Sequence, residues 1–583
     1  MRQQSTYRGF DTFRWGGLAK RGSLWGSVGA GLLALVGWGQ PVMAAESIGV
    51  FWPPLFELSL PVADLELFAR EGRTTRKLDF YVRRLTPDQR ADLQDLLTRQ
   101  FAVDGVTVSQ FTYSPVGESL LRRLTPMLKS SSDDLDFHAL RAAFILAATD
   151  PEGLTLVNFF RRYPTDRLRV DLRLSSQVVQ EVSQLFQEAD AITTAIQAIA
   201  SAQLPNSGTP IAEPAPRSVP FLAVPTSPPL PDPLQVGSTP WRQETLSFRN
   251  PEREQAVQAD LYLPEGDPDQ SVPLIVISHG IASDRNTFAY LAEHLASHNL
   301  AVAVLEHPGT NIESFKLFLT GFNALADEQD WVKRPRDITA LLDVLADQQS
   351  RDPRLGRLDL DNVGVLGQSL GGYTVLAAAG AELNSSKLLT DCTQDPTSRV
   401  SLNPALLLQC QALNLLLSDQ PLLEFPSLKD ERIRAVIAVN PLTSSVFGGE
   451  GLQAIEAPLM LIAGSKDFFA PAVPEQIHPF LQLTDPDHYL VLLENGTHFS
   501  FLGGGGRGVF DVPASLLGPD PAQSRVYLNA LSTAFFQVYL NQATEFAPYL
   551  TPNYARRLAE DPFQLDLLKE VSPELREGIP LPP

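Results

Sequence analysis

The sequence predicts a doubly wound α/β domain of about three hundred residues preceded by a smaller, mainly helical unit. Three observations carry this prediction. Short apolar runs alternate with helix-length segments after Trp241, a glycine-flanked serine sits between a strand-like run and a helix-like one, and a proline-dense stretch separates the two halves. With 583 residues the chain exceeds one ordinary domain.

Arg8, Arg14, Lys20 and Arg21 precede an apolar run from Leu24 to about Gly39, followed by Pro41-Val42-Met43-Ala44-Ala45. A basic region, an apolar region and a small-residue exit make a secretory signal peptide over residues 1–45, cleaved after Ala44 or Ala45. The competing reading is an uncleaved amino-terminal membrane anchor, since the run approaches spanning length. Export to the periplasm or the exterior is the expected localisation.

Residues 46–203 read as the mainly helical accessory domain. Leu65, Phe68 and Ala69 recur at helical spacing after Pro61, and Gly72 offers a stop. Thr86-Pro87-Asp88-Gln89 combines a cap, a first-turn proline and an answering Gln, so a helix from Pro87 to about Phe101 follows. Further helices are expected over Val116 to Leu128, Asp136 to Ala148 and Ser176 to Ala200, with strands over Leu154 to Phe160 and Leu168 to Leu174. This unit carries no paired catalytic groups, metal-ligand spacing or glycine loop. Residues 204–240, dense in proline around Pro228-Pro229-Leu230-Pro231, read as a stiff linker or strap.

The α/β catalytic domain is placed at 241–545, with 546–583 as a carboxyl-terminal extension. Its strand-like runs are Val257 to Leu263, Leu274 to Ser278, Ala301 to Glu306, Val363 to Leu366, Ala435 to Asn440, Leu459 to Ala463 and Tyr489 to Leu493. Thr287 to Ser297 and Asp337 to Asp347 are helix-like. Such short apolar or alternating runs, interleaved with helix-length segments, suit a mostly parallel sheet covered on both faces.

Val363-Gly364-Val365-Leu366 runs directly into Gly367-Gln368-Ser369-Leu370-Gly371-Gly372, and a helix-like segment follows. This is a nucleophile elbow, in which Gly367 and Gly371 flank Gln368 and Ser369 because the tight turn leaves no space for Cβ atoms. Ser369 would attack, and an elbow serine needs a base after the last strand. His498, in Gly496-Thr497-His498-Phe499, occupies that place, while His478 and His488 are the other histidines after the elbow. Asp467, ending the preceding strand, would orient the imidazole; a turn cap is its alternative role and Glu494 its nearest rival. The loop after Ile275-Val276-Ile277-Ser278-His279-Gly280 supplies Ile281, whose N–H would join that of Leu370 as an oxyanion donor. His279 is read as packing this loop rather than as a second base.

Ser278-His279-Gly280, the 367–372 elbow and Gly496-Thr497-His498-Phe499 make residues Trp241 to Phe536 resemble the α/β-hydrolases, in their platelet-activating-factor acetylhydrolase and dienelactone hydrolase-like branch. The whole chain resembles exported cyanobacterial hydrolases that carry an amino-terminal domain of unknown function, here about Glu46 to Phe186. The resemblance implies an α/β-hydrolase fold and a metal-independent, cofactor-free esterase or lipase-like activity on lipid-type esters. A serine in place of the dienelactone enzymes' usual cysteine departs from that pattern and argues against their substrate. A peptidase of the same fold and a noncatalytic binding protein are the competing functions.

A net charge of −21 provides no basic footprint, which argues against nucleic acid as a partner. The expected partners are a small-molecule or lipid ester substrate, with contact to a membrane surface. Two apolar insertions interrupt the domain. The first, Gly309 to Pro335, contains Phe315, Leu317, Phe318, Leu319 and Phe322; the second, Gly380 to Arg432, contains Leu388, Leu389, Leu406 to Leu408 and Leu413 to Leu417. They either form a lid or pack on the core. The chain's two cysteines, Cys392 and Cys410, lie in the second insertion, either as a disulfide worth roughly 3 kcal/mol or as two buried thiols. Gly503 to Gly506 lacks the Lys-Ser/Thr ending of a phosphate loop and reads as a mobile loop.

Overall fold

The computed structural model describes residues 45–52, 56–101, 103–129, 137–171, 173–175, 191–198, 200, 231–267, 269–320, 326–393, 403–417, 425–503 and 514–569. The leader expected at 1–45 lies almost wholly outside these residues, as do most of the proline-rich linker and residues 504–506.

The amino-terminal unit contains strands β1 (Ser47–Trp52), β2 (Phe56–Pro61), β3 (Leu128–Lys129) and β4 (Arg167–Asp171), which form a sheet in the order β2-β1-β4-β3. Around it lie α1 (Val62–Glu71), α2 (Arg76–Val82), α3 (Pro87–Thr98), α4 (Gly105–Tyr113), α5 (Pro115–Leu124), α6 (Phe137–Thr149) and α7 (Leu156–Arg162). Thr86 Oγ1 accepts from Gln89 N at 3.2 Å while Gln89 Oε1 accepts from Thr86 N at 3.1 Å, so the start of α3 is closed reciprocally as its sequence predicts. Gly72 adopts φ 66° and ends α1.

The unit is mainly helical, as expected, with a small sheet that includes a strand near the expected Leu168 to Leu174. One expectation needs correction: the strand expected over Leu154 to Phe160 is instead α7. Thr155 decides this locally by accepting from Asn158 N at 3.0 Å, which starts a helix where the apolar pattern fits either period.

The large sheet has nine strands: β5 (Trp241–Phe248), β6 (Val257–Pro264), β7 (Val272–Ser278), β8 (Ala301–Glu306), β9 (Leu358–Gln368), β10 (Ile433–Val439), β11 (Leu459–Gly464), β12 (His488–Glu494) and β13 (Gln564–Leu568). Their order is β13-β12-β11-β10-β9-β7-β8-β6-β5. The six central strands from β12 to β8 pair in parallel, and antiparallel pairs occur only toward the two edges. Every residue of β7 and β11 is buried, as strands covered on both faces require.

Helices α8 (Ala289–Ser297), α9 (Ile312–Leu319), α10 (Asp330–Gln349), α11 (Leu370–Ala378), α12 (Ser385–Cys392), α13 (Pro404–Gln409), α14 (Pro521–Asn541) and α15 (Pro552–Leu558) accompany this sheet. One face packs on the cluster containing Trp331, Ile338 and Leu376, the other on that containing Leu291, Leu531 and Phe535. Helix α10 begins seven residues before the Asp337 expected to start it and passes through Pro335.

The domain limits also shift. Residues 546–583 were expected as an extension, yet β13 within them pairs antiparallel with β12 from Leu490↔Leu568 to Glu494↔Gln564. An isolated Gln-Leu-Asp-Leu-Leu is too short to announce a strand; its Asp566 is buried and accepts from Arg556 of α15. Ile192, Ile196 and Ala200, expected within the accessory unit, are buried in the core of the large domain. Gln197 Nε2 donates to Glu494 Oε2 at 2.8 Å and Gln197 O accepts from Arg556 at 2.6 Å, fixing this helical turn to the end of β12 and to α15.

The end of the strap, 231–239, is also docked. Gly237 N donates to Ser297 Oγ at 2.8 Å, and the Nε2 atoms of His294 and His298 donate to the carbonyls of Pro233 and Gln235 at 3.0 and 2.9 Å. A Cβ at residue 237 would stand 2.1 Å from Ser297 O, so only glycine permits this approach. Burial, followed by the neighbouring His298, pushes the His294 imidazole down to about 4. Between pH 6.5 and 4 the unfolded chain therefore binds more protons at this site than the folded one, and stability is lost as pH falls through that window. His294→Gln should reduce the loss between pH 7 and 4.5 by about 1–2 kcal/mol, read from urea unfolding at each pH. An unchanged loss would show that this histidine does not couple strap docking to pH.

Candidate active site

The elbow is held by space as much as by sequence. Ser369 has φ 58°, a conformation costly for any residue with a Cβ, at the junction of β9 and α11. A Cβ at 367 would lie 2.0 Å from Gly371 O, and one at 371 would lie 2.1 Å from Ser278 O. Both glycines are thus required by backbone, which cannot yield as a flexible side chain could.

The structure brings Ser369, His498 and Asp467 into one chain of hydrogen bonds. His498 Nε2 lies 2.9 Å from Ser369 Oγ, and His498 Nδ1 lies 2.7 Å from Asp467 Oδ2. All three residues are buried. The two roles weighed for Asp467 prove compatible, because its Oδ1 accepts from Phe469 N and Ala470 N at 2.8 and 2.7 Å while Oδ2 faces the imidazole. Glu494, the rival acid, instead accepts from Gln197. His488 opens β12, at the end of the strand away from the His498 loop, and His478 lies beyond β11 on a short helix.

The His498 loop is tied to the elbow by amides. Gln368 Nε2 donates to His498 O at 3.1 Å, and Asn440 Nδ2 donates to Thr497 O at 3.3 Å while its Oδ1 accepts from Gly464 N at 3.1 Å. Asn440 therefore joins the ends of β10 and β11 to the histidine loop. Its φ of 45° is a conformation that Asn tolerates better than most residues.

Of the two expected oxyanion donors, Leu370 opens α11 directly after Ser369, and Ile281 follows Gly280 in the loop after β7. Leu370 N–H is the first of α11, which helical geometry leaves without an intrahelical partner. Residue 280 abuts the nucleophile, since a Cβ there would be 3.1 Å from Ser369 Cβ. His307 N donates to His279 Nε2 at 3.0 Å, so Nε2 is an acceptor and the proton resides on Nδ1, which donates to Gly280 O at 2.6 Å. A trans peptide points its C=O and N–H in opposite directions, so anchoring the Gly280 carbonyl also aims the Ile281 N–H. Burial first, then Arg334, holds the His279 imidazole well below its ordinary value, which keeps it neutral in this role.

Sequence reasoning missed the buried network behind this loop. Arg334, fully buried, donates to His279 O and Thr310 Oγ1, and its Nε donates to Thr374 Oγ1 at 3.0 Å. His307 lies between Ser278 Oγ at 2.9 Å and Asp337 Oδ2 at 2.8 Å, and Arg253 Nε reaches Asp337 at 2.8 Å. This second serine, histidine and carboxylate array is entirely buried, which gives it a structural place beneath the loop rather than access to a substrate. Arg334 and Asp337 sit three residues apart on α10, a spacing that would have placed them on one helix face had the helix start been recognised.

On the other flank, Cys392 and Cys410 form a disulfide. Gln409 Oε1 accepts from Ser445 N and Val446 N at 2.8 and 2.9 Å, so the second insertion is fastened to the loop after β10. Glu475, fully buried, accepts from Thr443 N, Ser444 N, Asn403 Nδ2 and Gln409 Nε2 and binds the same elements together. Of the insertion residues weighed as lid or core, Phe318, Leu388, Leu407 and Leu415 are buried, while Leu317, Leu389 and Leu417 are exposed. Among the described residues no group of His, Cys, Asp and Glu is arranged to hold a metal ion, and no helix is long and apolar enough to cross a membrane.

A mostly parallel sheet covered by helices, with an elbow serine at its carboxyl edge, is the α/β-hydrolase fold. Residues 275–512 match the model of the alpha/beta hydrolase family. Residues 44–171 match a second model, described as an alpha/beta hydrolase of unknown function, DUF1400, although in this chain they form the separate amino-terminal unit. No curated protein matches the chain. The chain thus carries an alpha/beta hydrolase domain, and fold and family match together support a hydrolase.

Proposed function

We propose that the protein is a serine-dependent carboxylic ester hydrolase acting on a hydrophobic or lipid-type ester. The observation that carries this reading is the unbroken path from Ser369 Oγ through His498 to Asp467, at 2.9 and 2.7 Å. Ser369 Oγ attacks the acyl carbon as its proton passes to His498 Nε2, and Asp467 holds the imidazole in the required tautomer and stabilises its cation. The tetrahedral oxygen is received by the N–H groups of Ile281 and Leu370, each worth ~3 kcal/mol. His498 returns the proton to the departing alkoxide, and water, deprotonated by the same imidazole, releases the acid from the acyl-enzyme.

Phe469, whose ring centre lies 5.6 Å from that of His498, gives the site an apolar border suited to a greasy substrate. The elbow and histidine-loop likeness to the platelet-activating-factor acetylhydrolase branch supports the same preference. The leader pattern and the disulfide support export into an oxidising compartment, where contact with a membrane surface would bring the enzyme to lipid esters.

A fluorophosphonate probe tests the reading, because only an activated serine reacts readily. One equivalent of label on the peptide containing Ser369, with turnover of p-nitrophenyl acetate and none of the matching anilide, is expected. Label elsewhere, or none, removes the esterase; anilide cleavage at comparable rate replaces it with a peptidase.

A further inference from the structure

The amino-terminal unit touches the hydrolase domain through helices that belong to its two insertions. The sheet order places β8 on one side of β9, beyond β7, and β10 on the other. Helix α9 rises from the β8 side immediately beside the Ile281 loop, since Ala282 N donates to Thr310 O at 2.9 Å and Ile312 N to Ser283 O at 3.0 Å. Helix α13 is fastened on the β10 side through Gln409 and Glu475. The first insertion and the second therefore flank the nucleophile from opposite sides.

Two consecutive helices of the amino-terminal unit meet both flanks: α4 packs against α9, and α5 packs against α13. Only Ser114 separates them, and it caps α5 by accepting from Gly117 N at 3.1 Å. A Cβ at 117 would be 1.9 Å from Phe111 O, so the two helices are joined at a close, glycine-dependent bend. Arg141 of α6 holds the pair from behind, with its guanidinium 4.0 Å from the Tyr113 ring centre and 3.5 Å from Glu118. The dimensions agree. β8 and β10 are three strand spacings apart, about 14 Å, and helices of nine and ten residues are about 13–15 Å long.

We propose that α4 and α5 form the ceiling of the substrate cleft and receive the apolar chain of the ester, which makes the amino-terminal unit the specificity-determining part of the enzyme. The surface chemistry suits an uncharged aliphatic chain. Val106 of α4 is 60% exposed and Leu317 of α9 is 48% exposed, and Phe468 and Phe469 are exposed beside the His498 loop. Val106 and Leu317 lie on two helices that pack together, and exposed apolar side chains of this kind are what an acyl chain would cover.

This proposal rests on Ser369 being the nucleophile, and the test separates the two. Full-length protein is labelled with ethyl and with decyl fluorophosphonate, the adduct on Ser369 is weighed by mass spectrometry, and amide hydrogen exchange is followed over residues 105–124. The decyl adduct should slow exchange there at least fivefold relative to the ethyl adduct. Failure to label Ser369 overturns the nucleophile and the ceiling together; labelling with identical exchange in the two adducts overturns the ceiling alone. Val106→Asp changes an exposed residue and leaves the core intact, and it should lower the ratio of kcat/KM for p-nitrophenyl decanoate over acetate about tenfold. An unchanged ratio likewise overturns the proposal.

Discussion

Ser369→Ala should lower kcat on p-nitrophenyl acetate by about a millionfold, to whatever the oxyanion donors and binding alone sustain. His498→Ala should fall to the same level, because a serine without its base and a base without its serine fail at the same step. Asp467→Asn should cost about ten-thousandfold, since Oδ2 holds the Nδ1 proton at 2.7 Å and an amide there favours the wrong tautomer. The Ser369→Ala, His498→Ala double variant should be no worse than either single one, as residues acting in one unit are not additive. Steady-state rates with purified variants of unchanged circular dichroism provide the measurement. Appreciable turnover by folded Ser369→Ala would remove this serine from the chemistry.

Glu475→Ala should destabilise the protein by about 3–5 kcal/mol, the largest stability effect expected of a single side chain away from the elbow. Its carboxyl accepts from two backbone N–H groups, at 2.8 and 3.0 Å, from Ser444 Oγ at 2.7 Å and from the amides of Asn403 and Gln409. Burial pushes the Glu475 carboxyl up, and these donors oppose that shift. Removing the acceptor strands several buried donors at once, each carrying a desolvation cost. Glu475→Gln keeps the volume but turns an N–H₂ toward donors, so it should restore only part of the loss. Urea unfolding of both variants measures this; a change below about 1 kcal/mol for the alanine variant would show that the insertion does not depend on this anchor.

The parts of the site that could be read in advance share one property, which is a local signal. Gly367 to Gly372 carries the steric need for glycine within six residues, and the predominantly apolar β7, β10 and β11 declare themselves as buried parallel strands. His498 and Asp467 followed from chain order once those strands were fixed. The edge strands were harder because half of each is polar: β5 alternates with solvent, and β13 buries an Asp whose Arg partner is ten residues away. Arg334, His307, Asp337 and Glu475 were illegible for another reason. A charged residue in sequence gives no sign of the distant neighbours that justify its burial, and each of these answers to groups on other elements. Leu154 to Phe160 failed where two periods fit the same apolar pattern and a single threonine cap chose between them.

The docking of Ile192, Ile196, Gln197 and Ala200 onto the large domain determines where the gene can be cut. A recombinant piece begun at Trp241, the obvious start by sequence, would discard Ile192, Ile196 and Ala200 and bare the apolar patch they cover, while one ended at 545 would strip β13 from β12. Expression of the hydrolase half in soluble form should therefore require a start ahead of residue 191 and a stop codon beyond Leu568.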